Sequence, residues 1–193
     1  MAITLVYHND IKSNCFNDLL VTLFDLNHAG QESHFFAVSD GKGRGLSSDY
    51  RSGTVDIMND NYDIGGGSCG VGRNSSKPGM RPVFSYSPKM GEFAIAFDGY
   101  MINGDTLRGN YGGSTDADIA ARFIADADNF EKGIVNLTEV VKGHFCINIS
   151  TEKGEAFTAR CPLGVRSLIY GGGPNGYAVV SESRALNHIG MER

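Results

Sequence analysis

The stretch ITLVYHNDIKSNCFNDLLVTLFDLNHAG, residues 3–30, decides the architecture. Its first five residues, Ile3 to Tyr7, are mostly apolar and partly β-branched, and they read as a short buried strand. After a polar interval, Phe16, Leu19, Leu20, Leu23 and Phe24 recur at i, i+3, i+4, i+7 and i+8, giving a helix one apolar face. Ser13 or Asn14 suits the cap at its start, and Gly30 suits the glycine that ends it. A buried strand followed by a one-faced helix must stack in layers, because each element has apolar surface to cover.

Outward from this stretch the same alternation of short strands and amphipathic helices continues. His34 to Ser39 reads as a strand closed by the turn pair Asp40-Gly41. Residues 42–90 carry little periodicity, with loop signals at Gly65-Gly66-Gly67, at Ser75 to Gly79 and at Ser87-Pro88. Phe93 to Asp98 is a strand. Ser114 or Thr115 caps a second helix with the stripe Ile119, Ala120, Phe123, Ile124 and Ala127. A third helix over Glu131 to Lys142 places Ile134, Leu137, Val140 and Val141 on one side. His144 to Ile149, Ala156 to Arg160, Ser167 to Tyr170 and Tyr177 to Ser181 read as consecutive strands. The turn signals Glu152-Lys153-Gly154 and Gly171 to Gly176 join the first and last pairs, and Ser183 to Ile189 forms a short helix. Grouped helices and antiparallel-looking strands predict an α+β fold in a single domain over residues 1–193, with no repeat and no linker.

Composition narrows the class of function. The 193 residues are 41% hydrophobic and 20% charged with a net charge of −5, and the Lys and Arg residues form no stripe, which argues against nucleic acid. No apolar run spans a bilayer and the N-terminus lacks a signal-peptide pattern, so a cytoplasmic protein away from membranes is expected. Cys15, Cys69, Cys146 and Cys161 are far apart and read as free thiols in a reducing compartment. The five histidines lack ligand spacing, and no metal or cofactor is expected. Gly41-Lys-Gly-Arg-Gly45 and Gly70-Val-Gly-Arg73 do not match a phosphate loop and read as turns. Asp116-Ala-Asp118 reads as first-turn acids of a helix rather than a metal pair. Ser181, Glu182, Ser183 and His188 lack the nucleophile elbow of a hydrolase.

Several segments, in order along nearly the whole chain, resemble one family, the class II (N-terminal nucleophile) glutamine amidotransferases. His28-Ala-Gly-Gln-Glu-Ser33 with Phe36-Ala-Val-Ser-Asp-Gly41 is similar to the family's His-Arg-Gly-Gln-Glu-Ser block and the strand after it. Gly72-Arg-Asn-Ser-Ser76 is similar to the block with the substrate-binding arginine. Ala94 to Asn103 resembles the strand and loop ending in His-Asn-Gly-Asn. Ser114-Thr-Asp-Ala-Asp118 resembles the Ser/Thr-Asp-x-Glu helix start, Ala159 to Arg166 the Arg-Asp-Pro-Leu-Gly-Ile-Arg turn, and Val179 to Leu186 the Ala-Ser-Glu-Ser-x-Ala-Leu segment. The nearest likeness is to the amidotransferase domain of amidophosphoribosyltransferases, with a further likeness to stand-alone amidotransferase subunits of glutamate synthases. The resemblance implies a four-layer αββα sandwich of two antiparallel sheets.

It also implies a chemistry: an N-terminal cysteine attacks the amide of glutamine with its own α-amine as base, and an asparagine and a glycine N–H hold the oxyanion. Aligned on the initiator methionine, the cysteine falls at Ala2 and the glycine after it at Ile3. Loss of Met1 would expose alanine. The oxyanion asparagine falls at Asp98, its neighbours at Phe97 and Tyr100, and the block arginine at Ala29. Retained are Gly99 of the oxyanion hole and, for the glutamine zwitterion, Arg73, Asp116 and Gly30. A catalytically degenerate subunit is therefore expected, either non-catalytic or glutamine-sensing, docked on a synthase or oxidoreductase partner. The rivals are an active amidotransferase with a non-standard nucleophile such as Cys15 or Cys69, and a free amino-acid-binding module. The pocket is expected to be occluded, with Phe97 and Tyr100 in the space of glutamine. The end at Gly190-Met-Glu-Arg193 is compatible with a free-standing subunit or with a fragment of a longer chain.

Overall fold

The structure is a computed structural model that describes residues 1–10, 13–58 and 61–193. The first strand, β1 (Ala2–His8), is followed by α1 (Phe16–Asp25), a 3-10 turn (Asn27–Ala29), β2 (Ser33–Ser39), β3 (Leu46–Ser52), β4 (Cys69–Ser75), β5 (Val83–Ser87) and β6 (Gly91–Met101). Three helices come next: α2 (Gly104–Tyr111), α3 (Asp116–Ala125) and α4 (Phe130–Val140). The chain closes with β7 (Gly143–Thr151), β8 (Ala156–Arg160), β9 (Ile169–Gly173), β10 (Gly176–Val180) and the short α5 (Arg184–Asn187).

Two antiparallel sheets result, a six-stranded one in the order β3-β2-β4-β1-β10-β9 and a four-stranded one in the order β5-β6-β7-β8. Three apolar clusters separate four layers, giving the αββα sandwich. One, with Leu19, Leu23, Val6 and Leu186, lies between α1, α5 and the larger sheet. A second, with Ile3, Leu5, Phe35, Ala94 and Ala96, lies between the sheets. The third, with Phe93, Phe97, Ile119 and Leu137, lies between the smaller sheet and α2–α4. Period-two alternation sends neighbouring residues of each strand into different clusters.

The glycine-rich segment Gly70 to Arg73 is strand rather than turn. A Cβ on Gly70 would lie 2.5 Å from Leu19 Cδ1 and one on Gly72 would lie 2.1 Å from Leu23 Cδ1. The missing side chains let the apolar face of α1 settle directly on β4. Gly30 also differs from expectation. The helix ends at Asp25, and Gly30 is extended with φ −171°. It is needed for a close approach, since its Cβ would lie 2.7 Å from the backbone of Ser75.

The start of α1 has Cys15 in the cap position with no side-chain cap, while Asn14 Oδ1 accepts from the Phe16 N–H at 3.0 Å. At α3, Thr115 is the cap, in a reciprocal capping box with Asp118. The poorly patterned stretch 42–90 contains β3, β4 and β5, and within it residues 59 and 60 lie outside the described residues. The helix α2 has no sequence-level expectation behind it. The four strands after α4 read alike but part company: β7 and β8 belong to the smaller sheet, β9 and β10 to the larger. Among the described residues, no helix is long and apolar enough to cross a membrane.

Leu19 is wholly buried between α1 and the glycines of β4. Leu19→Ala should lower the free energy of unfolding by about 2–5 kcal/mol, read from urea denaturation followed by circular dichroism. A loss below that range would mean that α1 is not seated on the sheet as described.

Candidate functional site

Side-chain parity along β1 places the site. Ile3 lies opposite Arg73 and Ala2 opposite Asn74 in the β1–β4 register. Ile3 faces the space between the sheets, whereas Ala2 is fully buried in the cluster under α1, on the side where Asn74 Nδ2 donates to Leu23 O at 2.8 Å. The residue that reaches the inter-sheet side at the start of β1 is therefore Met1. It lines a cavity of about 280 Å³ together with Arg73, Lys77, Gly99, Tyr100 and Asp116, contributed by both sheets and α3. Alignment on the initiator methionine puts the nucleophile's position at Ala2; the geometry puts the cavity-facing position at Met1. Neither a methyl nor a thioether can serve as a proton-activated nucleophile.

The cavity is electrostatically unusual. Arg73 is 3% exposed, and burial lowers its pKa to about 10, partly offset by the negative charge of Asp98. Its Nη2 donates to Met1 Sδ at 2.8 Å and its buried Nε has no partner. Asp98, 4% exposed on β6, reaches Arg166 Nε from Oδ2 at 3.8 Å, an ion pair too long for a hydrogen bond. Asp98 Oδ1 and Arg166 Nε are both buried without partners. A carboxylate from one sheet thus sits among two arginines, Arg73 from the other sheet and Arg166 from the loop after β8.

The residues singled out by sequence separate here. Arg73, Asp116 and Gly99 line one cavity. Asp116 opens α3, and its Oδ2 accepts from the Met101 N–H at 2.9 Å, so one carboxylate oxygen is committed to the backbone. Gly99 has φ 155°, and a Cβ there would lie 2.2 Å from His144 O, so only glycine fits at this point of β6. Gly30 does not take part; it borders a separate surface hollow with His28 and Ser76. The expected occlusion by Phe97 and Tyr100 is not found. Phe97 stacks on Phe145 at 5.9 Å with its bulk in the helix-side core, and Tyr100 is 59% exposed at the rim. What covers Arg73 is the Met1 thioether.

The candidate thiols lie far away. Cys69 pairs with Tyr7, at the opposite end of β1 from Ala2, about 17 Å along the strand at roughly 3.3 Å per residue. The Cys15 N–H donates to Gly67 O at 2.7 Å, near that same end. Both are fully buried, and burial raises the Cys15 thiol well above its ordinary value and the Cys69 thiol to about 12. The thiol near the cavity is Cys146, directly opposite Asp98 in the β6–β7 register. Burial and the Asp98 charge raise it to about 12, and its Sγ donates to Arg166 O at 3.5 Å. Sequence offers no sign of this neighbour, because only the register brings it there.

Other polar clusters are structural ties. Ser181 Oγ exchanges hydrogen bonds with the backbone of Ile3, Glu182 pairs with His28 at 2.8 Å, and His188 pairs with Asp25 at 2.6 Å, so these side chains meet no common centre. His8 touches Ser13 Oγ at 2.9 Å and Asp18 at 2.8 Å, but the Ser13 hydroxyl donates to Asp10 O at 2.6 Å. With that proton committed, the chain joins the end of β1 to the start of α1 and holds no poised nucleophile. A larger groove of about 600 Å³ between β5 and α3 holds no buried charge, and its Asp118 is committed to the capping box.

Two outcomes follow from this geometry. Asp98→Asn, which restores a family-like amide, should lower stability by roughly 1–3 kcal/mol in thermal or urea unfolding, because Arg73 loses its buried counter-charge; the solvent-exposed part of Arg166 limits the effect. Iodoacetamide at pH 8 should leave all four thiols of the native protein unmodified by mass spectrometry and label them after unfolding. Fast labelling of Cys146 in the folded protein would contradict its burial.

No protein-family model matches the chain. It is 29% identical over 190 residues to the amidophosphoribosyltransferase of Mycobacterium tuberculosis, covering 87% of this chain and 36% of that protein. It is 27% identical over 184 residues to the amidophosphoribosyltransferase of Bacillus subtilis, covering 87% and 38%. The chain thus spans little more than a third of the length of these curated relatives. Among solved structures, the glutamine phosphoribosylpyrophosphate amidotransferase from B. subtilis, complexed with ADP and GMP, superposes with a TM-score of 0.83 at 24% identity, over 98% of this chain and 43% of that one. That likeness establishes the shared fold. In sequence and in fold, the chain resembles the class II, N-terminal-nucleophile glutamine amidotransferase domain of amidophosphoribosyltransferases.

Proposed function

We propose that this single amidotransferase-like domain, acting in the cytoplasm, has lost glutaminase chemistry and keeps the amino-acid pocket, serving as a non-catalytic, glutamine-responsive partner of a synthase or oxidoreductase. One observation carries the reading: the cavity-facing position at the start of β1 is the Met1 thioether, with the Ala2 methyl beside it. The covalent route needs a thiol or hydroxyl there, and neither residue supplies one. Asp98 adds a second obstacle. A carboxylate where the resemblance implies an amide donor opposes a forming oxyanion, and losing one such donor typically costs about 100- to 1,000-fold in rate.

The binding half of the site is in better order. Arg73 and Asp116, the pair that the resemblance assigns to the α-carboxylate and α-ammonium of glutamine, line the same cavity. Arg73 has an unpartnered buried Nε, and displacing the flexible Met1 side chain frees its Nη2 as well. Exposed Tyr100 and Ile102 on the β6 side, and Leu163 and Val165 in the loop leading to Arg166, supply apolar surface for a partner. The rival reading, with Cys15 or Cys69 as nucleophile, is disfavoured by their burial at the far end of β1.

Purified protein should release ammonia from L-glutamine no faster than a blank, with or without thiol alkylation. Calorimetry should record glutamine binding that Arg73→Ala weakens roughly 10- to 100-fold, the scale of one charge-assisted contact. Turnover abolished by alkylating one cysteine would sink the non-catalytic reading; absence of any binding heat would sink the glutamine-responsive one.

A further inference from the structure

The buried guanidinium of Arg73 is poorly matched to its partner. A guanidinium carries five N–H donors. Among the described residues, the one hydrogen bond that this side chain makes goes to the Met1 thioether, with Nη2 at 2.8 Å from Sδ, and the buried Nε has no acceptor. Thioether sulfur is a weak acceptor. Unpaired donors on so deeply buried a side chain are uncommon and call for an explanation.

Met1 differs from the other methionines in what surrounds its sulfur. Met90, Met101 and Met191 are buried in the apolar clusters, and Met58 is 84% exposed. Met1 and Met80 are half-buried and line the same cavity, where a small polar solute reaches them. Among the described residues, Met1 is the methionine whose sulfur meets a cation. The four thiols are buried and do not compete for an oxidant in solution.

Hydrogen peroxide oxidises a thioether by a two-electron step. A sulfur lone pair attacks one peroxide oxygen, the O–O bond breaks and an S–O bond forms. The departing hydroxide takes the proton of the transferred hydroxyl and leaves as water. Sulfur is oxidised and peroxide oxygen is reduced. In an apolar setting the polar sulfoxide disrupts its surroundings. Beside Arg73 the new oxygen instead meets a buried cation with an unpaired donor, and a hydrogen bond from an ionised donor is roughly twice as strong as one between neutral groups.

We propose that Met1 is a site of reversible sulfoxidation by peroxide, whose sulfoxide oxygen accepts from Arg73 and fastens the Met1 side chain across the cavity. In the reduced state the thioether holds Arg73 weakly and can be displaced. In the oxidised state the guanidinium is occupied and the cavity is closed. The effect on glutamine rests on the reading of the cavity as an amino-acid site; the sulfoxide contact itself does not.

Peroxide treatment of the native protein, followed by peptide mapping in a mass spectrometer, should add one oxygen to Met1 and to Met58 and leave Met90, Met101 and Met191 unmodified. In a Met58→Leu/Met80→Leu protein, oxidation should raise Tm by roughly 2–4 °C, the shift that one added charge-assisted hydrogen bond gives a domain of this size. With Arg73→Ala added, oxidation should give no rise. A Tm that falls or stays unchanged while Arg73 is present overturns the proposal, as does an equal rise with and without Arg73, or purified protein that lacks Met1. By calorimetry, oxidation of the Met58→Leu/Met80→Leu protein should weaken glutamine binding by about tenfold or more, and methionine sulfoxide reductase should restore it. Equal affinity before and after oxidation overturns closure of the cavity and leaves the amino-acid site standing. Absence of glutamine binding before oxidation overturns the amino-acid site alone, and the Tm comparison still decides the sulfoxide contact.

Discussion

A guanidinium enclosed between two sheets needs a negative group beside it, and this requirement organises one end of the molecule. Arg73 projects from β4 of the larger sheet into the inter-sheet space, where burial works against its charge strongly enough to bring its pKa down to about 10. Asp98, from β6 of the smaller sheet, supplies the opposing charge, and Arg166 approaches the same carboxylate from the loop after β8. The two sheets are thus linked electrostatically, in addition to the apolar contacts of Ile3, Phe35 and Ala96 between them. Removing the carboxylate would leave an uncompensated buried charge, which costs more than the ion pair contributes when intact.

The same cluster bears on the proposal that the site keeps recognition and loses reactivity. Chemistry on an amide needs a nucleophile and donors aimed at a developing negative charge. Here the cavity-facing position at the start of β1 is a thioether, and the group at position 98 is an acceptor carrying negative charge. Recognition needs only complementary charge and unpaired hydrogen-bonding atoms; Arg73 and Asp116 line the cavity, and the Arg73 Nε is unpartnered. The four thiols are buried, and two are raised to about 12.

The position of β1 shows why one residue matters so much. It is paired on both sides, with β4 and β10, so its register is fixed by two ladders at once. With a side-chain period of two, a shift of one residue exchanges the face that meets α1 for the face that meets the smaller sheet. Ala2 and Met1 therefore have opposite surroundings although they are adjacent, and a motif aligned on the initiator methionine cannot tell which of them faces the cavity.

The one-dimensional pattern was sufficient for the elements with strong periodicity. The apolar stripes of α1, α3 and α4, the strands near residues 3–7, 34–39 and 93–98, and a helix cap at Ser114 or Thr115 can all be read from spacing, because burial on one face leaves a periodic record; the full strand lengths and the choice of Thr115 come from the structure. Arg73, Asp98, Gly99 and Asp116 were legible as a set only through the ordered motif resemblance. What the tertiary structure alone decided was assembly: that β7–β8 and β9–β10 belong to different sheets, that Gly70 and Gly72 seat a helix, that Gly30 stands apart from the cavity, that Cys146 lies beside Asp98, and that Met1 covers Arg73. Each of these depends on contacts between residues distant in the chain, whose partners are chosen by register and packing, and local sequence carries no record of either.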